Sequence, residues 1–155
     1  MTRDSQRNHL PGASAEAAAL FDLSCQRFAR FCGDPLAPLD DAISDSPAFG
    51  MAKIAKAWIY VMSTEPGATA GARRILRDLD REGAPNTPRE TAHRRALSEA
   101  AAGNWTLAAR TLDLWSAAHP QDFLALLAGH QTDFLTANAR NLRDRIARAL
   151  PAWDP

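Results

Sequence analysis

His130 and Asp133 stand three residues apart, a spacing that sets an imidazole and a carboxylate on one helix face. That is the spacing of a weak metal pair or an acid–base pair. One histidine and one carboxylate are too few ligands for a closed zinc site, so the pair reads as a surface or interface hydrogen bond. His93 is followed by Arg94 and Arg95, which would make it a poor cation ligand. His119 precedes Pro120 at a helix end, where an imidazolium gains from the helix dipole. Cys25 and Cys32 lie seven residues apart, about two turns along one face and too far for an intrahelical disulfide. They read as small buried hydrophobes rather than metal ligands, and reduced thiols fit a cytoplasmic protein. Asp40 and Asp41 read as first-turn acids that favour the positive end of a short helix, not as paired catalytic carboxylates. Arg140, Arg143, Arg145 and Arg148, partly offset by Asp144, read as a solvated helix face. The chain has no HExxH, no glycine-rich phosphate loop and no GxSxG elbow. The expectation is a non-enzymatic protein with no cofactor, metal or catalytic residue.

The balance of charge narrows the partners. Eighteen basic and eighteen acidic side chains in 155 residues leave no net charge. The bulk electrostatic argument for nucleic acid or an anionic membrane is therefore absent. Met1-Thr2-Arg3-Asp4-Ser5-Gln6-Arg7-Asn8-His9 lacks the apolar core of a secretory signal. The run Trp58-Ile59-Tyr60-Val61-Met62 is too short to span a bilayer. The expected partner is a protein or peptide, met in the cytoplasm, with neither nucleic acid nor membrane involved.

Helices must position whatever the chain presents. Residues 1–13 are polar and close on Pro11-Gly12, which predicts a flexible lead. Ser14 is a candidate N-cap for a helix over 14–32 with Leu20, Phe21, Ser24, Phe28 and Phe31 at helical spacing, stopped by Gly33-Asp34-Pro35. Further helices are predicted over 36–45, 47–63, 68–82, 88–102, 104–118, 121–136 and 138–150. Ser46-Pro47 is read as the start of the third, and Gly83-Ala84-Pro85-Asn86 as the break after the fourth. Thr87-Pro88-Arg89-Glu90 carries the signature of a capping box with proline in the first turn. Asp122 is placed to cap the seventh helix. Short links between eight helices predict antiparallel pairs.

The stretch from Arg89 to Asp122 is the best-marked unit. Gly103-Asn104-Trp105-x-x-Ala108 closes one helix and opens the next, and Pro120 closes that one. With Arg89 at position one of a repeat of about 34 residues, Ala108 falls where two helices approach and only a small side chain fits. Adding one period puts Leu142 at that small-residue place, so the last pair is degenerate. Gly103, Asn104, Trp105, Ala108 and Pro120 thus define the repeat. The expected fold is all-α, a tetratricopeptide-like α-α superhelix of about four antiparallel pairs. In such a stack the helices 14–32, 47–63, 88–102 and 121–136 would line the concave side, where Lys53, Lys56, Arg95 and Asn138 could face either a ligand or water.

Several segments in collinear order carry a family resemblance. They are Ser46-Pro47-Ala48-Phe49-Gly50-Met51-Ala52, Thr87-Pro88-Arg89-Glu90, Ala101-Ala102-Gly103-Asn104, His119-Pro120-Gln121-Asp122-Phe123-Leu124-Ala125-Leu126, Arg143-Asp144-Arg145-Ile146-Ala147-Arg148 and Leu150-Pro151-Ala152-Trp153. Over residues 14–155 the chain resembles the N-terminal part of the tetratricopeptide repeat protein 38 family. The resemblance implies a helical-repeat scaffold, with the family's C-terminal repeats lying beyond Pro155, and it implies no established reaction. Two functional readings follow. One is a protein-interaction scaffold, with self-association through an uncapped C-terminal end as one of its outcomes. The other is the N-terminal part of a larger helical-repeat protein whose ligand or enzymatic site needs the remainder.

Overall fold

The computed structural model describes residues 1–83 and 87–153. Among these the chain forms eight α-helices: α1 Ala15–Arg30, α2 Leu36–Asp45, α3 Gly50–Met62, α4 Pro66–Glu82, α5 Pro88–Ala101, α6 Trp105–Ala118, α7 Phe123–Leu135 and α8 Ala139–Ala149. A 3-10 turn, Leu150–Ala152, follows α8. No strand is found among the described residues, where Arg3 and His9 make one isolated bridge. The fold is all-α, built from adjacent helices packed as pairs.

Local chemistry explains most boundaries. The Ser14 hydroxyl accepts from the Ala17 amide and starts α1. In α5 the Thr87 side chain accepts from Glu90 N while the Glu90 carboxylate takes the Thr87 amide, completing the capping box. Three ends differ from expectation. α1 stops at Phe31, whose φ of 52° is left-handed, so this ring is exposed rather than part of the aromatic core stripe. Ser46-Pro47-Ala48 forms a turn closed by Phe49 N to Ser46 O at 2.9 Å, and α3 begins three residues later than Pro47 suggested. Pro66 opens α4, two residues before the predicted start at 68, because a first-turn residue has no helical N–H bond to lose. α2 begins at Leu36, so Asp40 and Asp41 lie past its first turn and are not caps; Asp40 instead pairs with Lys56 of α3. The break expected over 84–86 lies outside the described residues.

The turn between α5 and α6 is built on Gly103 and Asn104. Gly103 has φ +88°, a left-handed conformation that glycine adopts without steric cost. Its amide reaches Ala100 O at 2.9 Å and the Asn104 amide reaches Glu99 O at 2.9 Å, satisfying the last carbonyls of α5. Ala108 is fully buried in α6, and Trp105 is half-buried against the core.

The pairs cover one another in order. α3 packs on α1 and α2, α5 on α3 and α4, and α7 on α6. α7 also touches α3 and α1, so the array closes back on its own beginning. The core runs through Phe21, Leu39, Phe49, Ile54, Trp58, Leu97, Leu112 and Leu124. Residues 1–13, expected as a flexible lead, are docked on this body. Leu10 is buried, its amide meets Thr2 O at 3.0 Å, and Thr2 Oγ1 donates to Ala13 O at 2.8 Å.

Candidate functional site

The groups with the greatest chemical potential converge on Asp122, which is buried at the N-terminus of α7. Its Oδ1 accepts from the Ala125 amide at 3.3 Å as the helix cap. Arg89, from the first turn of α5, grips both oxygens, Nε to Oδ2 at 3.0 Å and Nη2 to Oδ1 at 2.9 Å. The third guanidinium nitrogen, Nη1, reaches Asp4 Oδ2 at 2.9 Å. His93 Nε2 and Trp115 Nε1 also meet Asp122 Oδ2, at 3.0 and 2.8 Å. One arginine thereby joins the N-terminal segment, α5 and α7 in a two-carboxylate clamp.

The proton on His93 is placed by its neighbours. Trp58 Nε1 can only donate, and it lies 3.1 Å from His93 Nδ1. Nδ1 is therefore the acceptor, and the ring proton sits on Nε2, facing Asp122. Both imidazole nitrogens are occupied within a fully buried site, so neither has a place for a substrate proton. Burial alone would raise the Asp122 carboxyl, but the interactions with His93 and Arg89 outweigh it and hold the pKa far below the usual carboxylate range. For Arg89, burial works against the charge, and Asp122 and Asp4 overcome it to raise the pKa. Cys25 lies near this cluster, yet burial pushes its thiol strongly upward, the opposite of what a nucleophile needs. The hub holds helices together; it offers no reactive atom to solvent.

A second buried pair ties the last helices to α6. Arg145, expected on a solvated face, is buried. Its Nε meets Asp133 Oδ2 at 2.8 Å, its Nη2 meets Ala109 O at 3.1 Å, and its Nη1 lies 3.6 Å from Asp113 Oδ1. The guanidinium lies over Gly129 of α7, where a Cβ would come within 2.6 Å of Arg145 Cζ. In the α7–α8 pair the small residue, Gly129, is on the first helix and the long one, Arg145, on the second.

The remaining sequence candidates separate. Asp133 is spent on Arg145 rather than shared with His130, which is half-buried in the wall of an apolar pocket. His119 stacks on Trp115 with centroids 3.6 Å apart, and its Nδ1 lies 3.2 Å from Trp115 O. Cys25 is buried as expected, but Cys32 is exposed because α1 has already ended. Lys53 pairs with Glu82, Lys56 with Asp40, and Arg95 with Glu99, while Asn138 caps α8. Most of α3 is buried, so it lines no open concave wall, whereas α7 keeps one side open toward α8. Pro120 carries a role that the sequence did not suggest: its carbonyl accepts Trp153 Nε1 at 2.8 Å.

Two of the open concavities on the outside stand beside exposed apolar side chains. A groove of about 710 Å³ between α5 and α6 is bordered by Thr91, Arg95, Leu107, Arg110 and Leu114. A smaller pocket of about 310 Å³ lies between α7 and α8, walled by Phe123, Leu126, His130, Ile146, Leu150 and Trp153. Leu114 is 68% exposed, Phe134 71% and Leu150 63%. These are large apolar side chains left in water beside concave surface. Among the described residues no group of three or more His, Cys, Asp or Glu is placed to hold a metal ion, and no helix is long and apolar enough to cross a membrane.

Arg89 and His93 carry a sequence signal for an inward role. They share a helical stripe with Ala96, Leu97 and Ala100, all buried in α5, so a polar residue on that stripe is an inward one needing a partner. No protein-family model matches the chain, and no solved structure matches it.

Proposed function

We propose that the chain is a non-enzymatic interaction module of the tetratricopeptide type, a compact superhelix of helix pairs that holds a protein or peptide on its outer faces. The observation that carries this reading is the division between inside and outside. The acid, base and thiol groups are saturated or buried at Asp122, His93 and Cys25. The exposed large hydrophobics of the last two pairs, Leu107, Leu114, Phe134, Leu135, Ile146 and Leu150, lie on outward surfaces. Large apolar side chains left exposed beside open concavities, as Leu114 and Leu150 are, support an interaction role. The collinear resemblance to the tetratricopeptide repeat protein 38 family supports the same reading, as does the ordered covering of each pair by the next.

A photo-crosslinking residue placed in turn at Leu114, Leu150 and the exposed control position Arg74 tests this in the native host. The expected result is one or more discrete protein adducts at Leu114 or Leu150 and none of them at Arg74. Adduct patterns identical at all three positions would overturn the interaction reading.

A further inference from the structure

We propose that the seat beneath residues 1–10 is a self-association site, which takes the same N-terminal segment from a second copy of the chain in exchange for its own. The proposal goes beyond the outer-face reading and does not depend on it. The seat reads a short pattern, an aspartate followed by a backbone N–H. Arg89 Nη1 meets Asp4 Oδ2 at 2.9 Å, and Asp22 Oδ2, on α1, accepts from the Ser5 amide at 2.9 Å. Further along, Gln121 O accepts from Asn8 Nδ2 at 3.0 Å, and Leu10 is buried in the core.

The segment is a unit separate from the helices. Its backbone bonds close on themselves, Asp4 N to Asn8 O at 3.0 Å, Arg7 N to Asp4 O at 2.9 Å and Leu10 N to Thr2 O at 3.0 Å. Asp4 Oδ1 accepts from the amides of Gln6 and Asn8, so one carboxylate folds the segment and presents its other oxygen to Arg89. Among the described residues no backbone–backbone hydrogen bond joins residues 1–10 to a helix. The segment can therefore leave its seat with its own bonds intact, while Arg89 keeps both oxygens of Asp122.

The occupant that fits is a second copy, because exchange between copies conserves every one of these contacts. A foreign segment would have to supply the aspartate, the turn and the leucine together. The chain carries no net charge, so two copies meet without bulk repulsion. Beyond the segment, Ser14 is fixed to the helical body through its amide to Ser46 Oγ at 3.0 Å and its hydroxyl to Asp45. Residues 11–13 are thus the hinge, about 10 Å long when extended, and short hinge loops invite exchange of an element between protomers. The closed chain holds its own segment at an effective concentration of about 1 mM, so exchange grows as chain concentration approaches that value.

The test mixes two full-length variants, Asn8→Cys and isotope-labelled Gln121→Cys, both with the exposed Cys32 replaced (Cys32→Ser). At a chain concentration of about 1 mM, a short bismaleimide is added once the mixture has equilibrated. The expected yield of the crosslink between position 8 of one copy and position 121 of the other is at least about tenfold that of a control with Arg74→Cys, an exposed position, in place of Asn8→Cys. Asp4→Asn in the Asn8→Cys copy should lower the yield at least about fivefold, since its segment then lacks the charged partner of Arg89. An excess of the synthetic peptide Met1–Gly12 should lower it as well, with every residue of the seat unchanged except Gln121, which contributes its backbone carbonyl. A yield no greater than the control would overturn the proposal, and so would a yield that the peptide does not lower. Peptide binding without any crosslink between copies would equally overturn the second copy as occupant. Photo-adducts at Leu114 or Leu150 stand or fall apart from these results, so failure here is distinct from failure of the interaction reading.

Discussion

Asp122 shows how much one side chain can be asked to hold. It caps α7, accepts both arms of Arg89, and takes the N–H groups of His93 and Trp115. Asp122→Asn would remove the charge and leave Arg89 with Asp4 alone, and breaking a buried pair costs about 3–5 kcal/mol. Urea unfolding at neutral pH should show that loss. The pH dependence follows from the depressed pKa of Asp122. A carboxyl lowered by folding contributes stability that is present above its unfolded pKa and lost as pH falls toward the folded value. The wild-type chain should therefore lose stability below about pH 4, and Asp122→Asn should flatten part of that slope. Gly129→Ala would drive a methyl into the Arg145 guanidinium and should lower stability by about 1–3 kcal/mol, read as a fall in Tm. Asp122 was legible as a cap because it directly precedes an apolar helical run. Its ion pairs were not, since Arg89 reaches across 33 residues to Asp122 and across 85 to Asp4. Local periodicity carries no information at those separations. The same holds for Arg145, whose arginine neighbours on α8 made it look like one more solvated charge.

At the scale of elements, the α5–α6 pair was the most readable part of the chain because its signals are local: a capping box, a glycine at a left-handed turn and a small residue at the crossing. Ala108→Trp should overpack that crossing and cost at least about 1–3 kcal/mol. Trp105 is half-buried rather than enclosed, so Trp105→Ala should cost about 2 kcal/mol, less than the loss of a fully buried indole. If thermal melts of both variants match the wild type, the crossing has been misplaced. Where expectation failed, a residue type had two uses. Proline both stops and starts helices, and the chain uses Pro66 to start one and Pro47 inside a turn. Phe31 belongs to the periodic aromatic row by spacing, but the helix ends one residue too soon to carry it inward.

The whole molecule is more closed than a row of hairpins implies. α7 reaches α3 and α1, and the first ten residues are fastened by Leu10 and by Asp4 on Arg89. In hydrogen exchange the amides of Asp4, Arg7 and Leu10, which donate to Asn8 O, Asp4 O and Thr2 O, should exchange more slowly than in a free peptide of the same sequence. Random-coil rates there would contradict the docking. No reading of residues 1–13 alone could have found it, because a polar composition marks a lead and the donor to Asp4, Arg89, lies in α5. Most of the exposed large hydrophobics lie on the last two pairs; the proposed function belongs to that surface, and the buried hub contributes stability. The most direct test compares partner capture and Tm in two variants. Leu114→Glu combined with Leu150→Glu should abolish capture while moving Tm by no more than a degree or two, since exposed substitutions change stability by about 0.5 kcal/mol or less. His93→Asn should lower Tm yet keep capture at a temperature where the chain remains folded. Capture that survives the surface substitutions but is lost with His93→Asn in the folded protein would contradict the account.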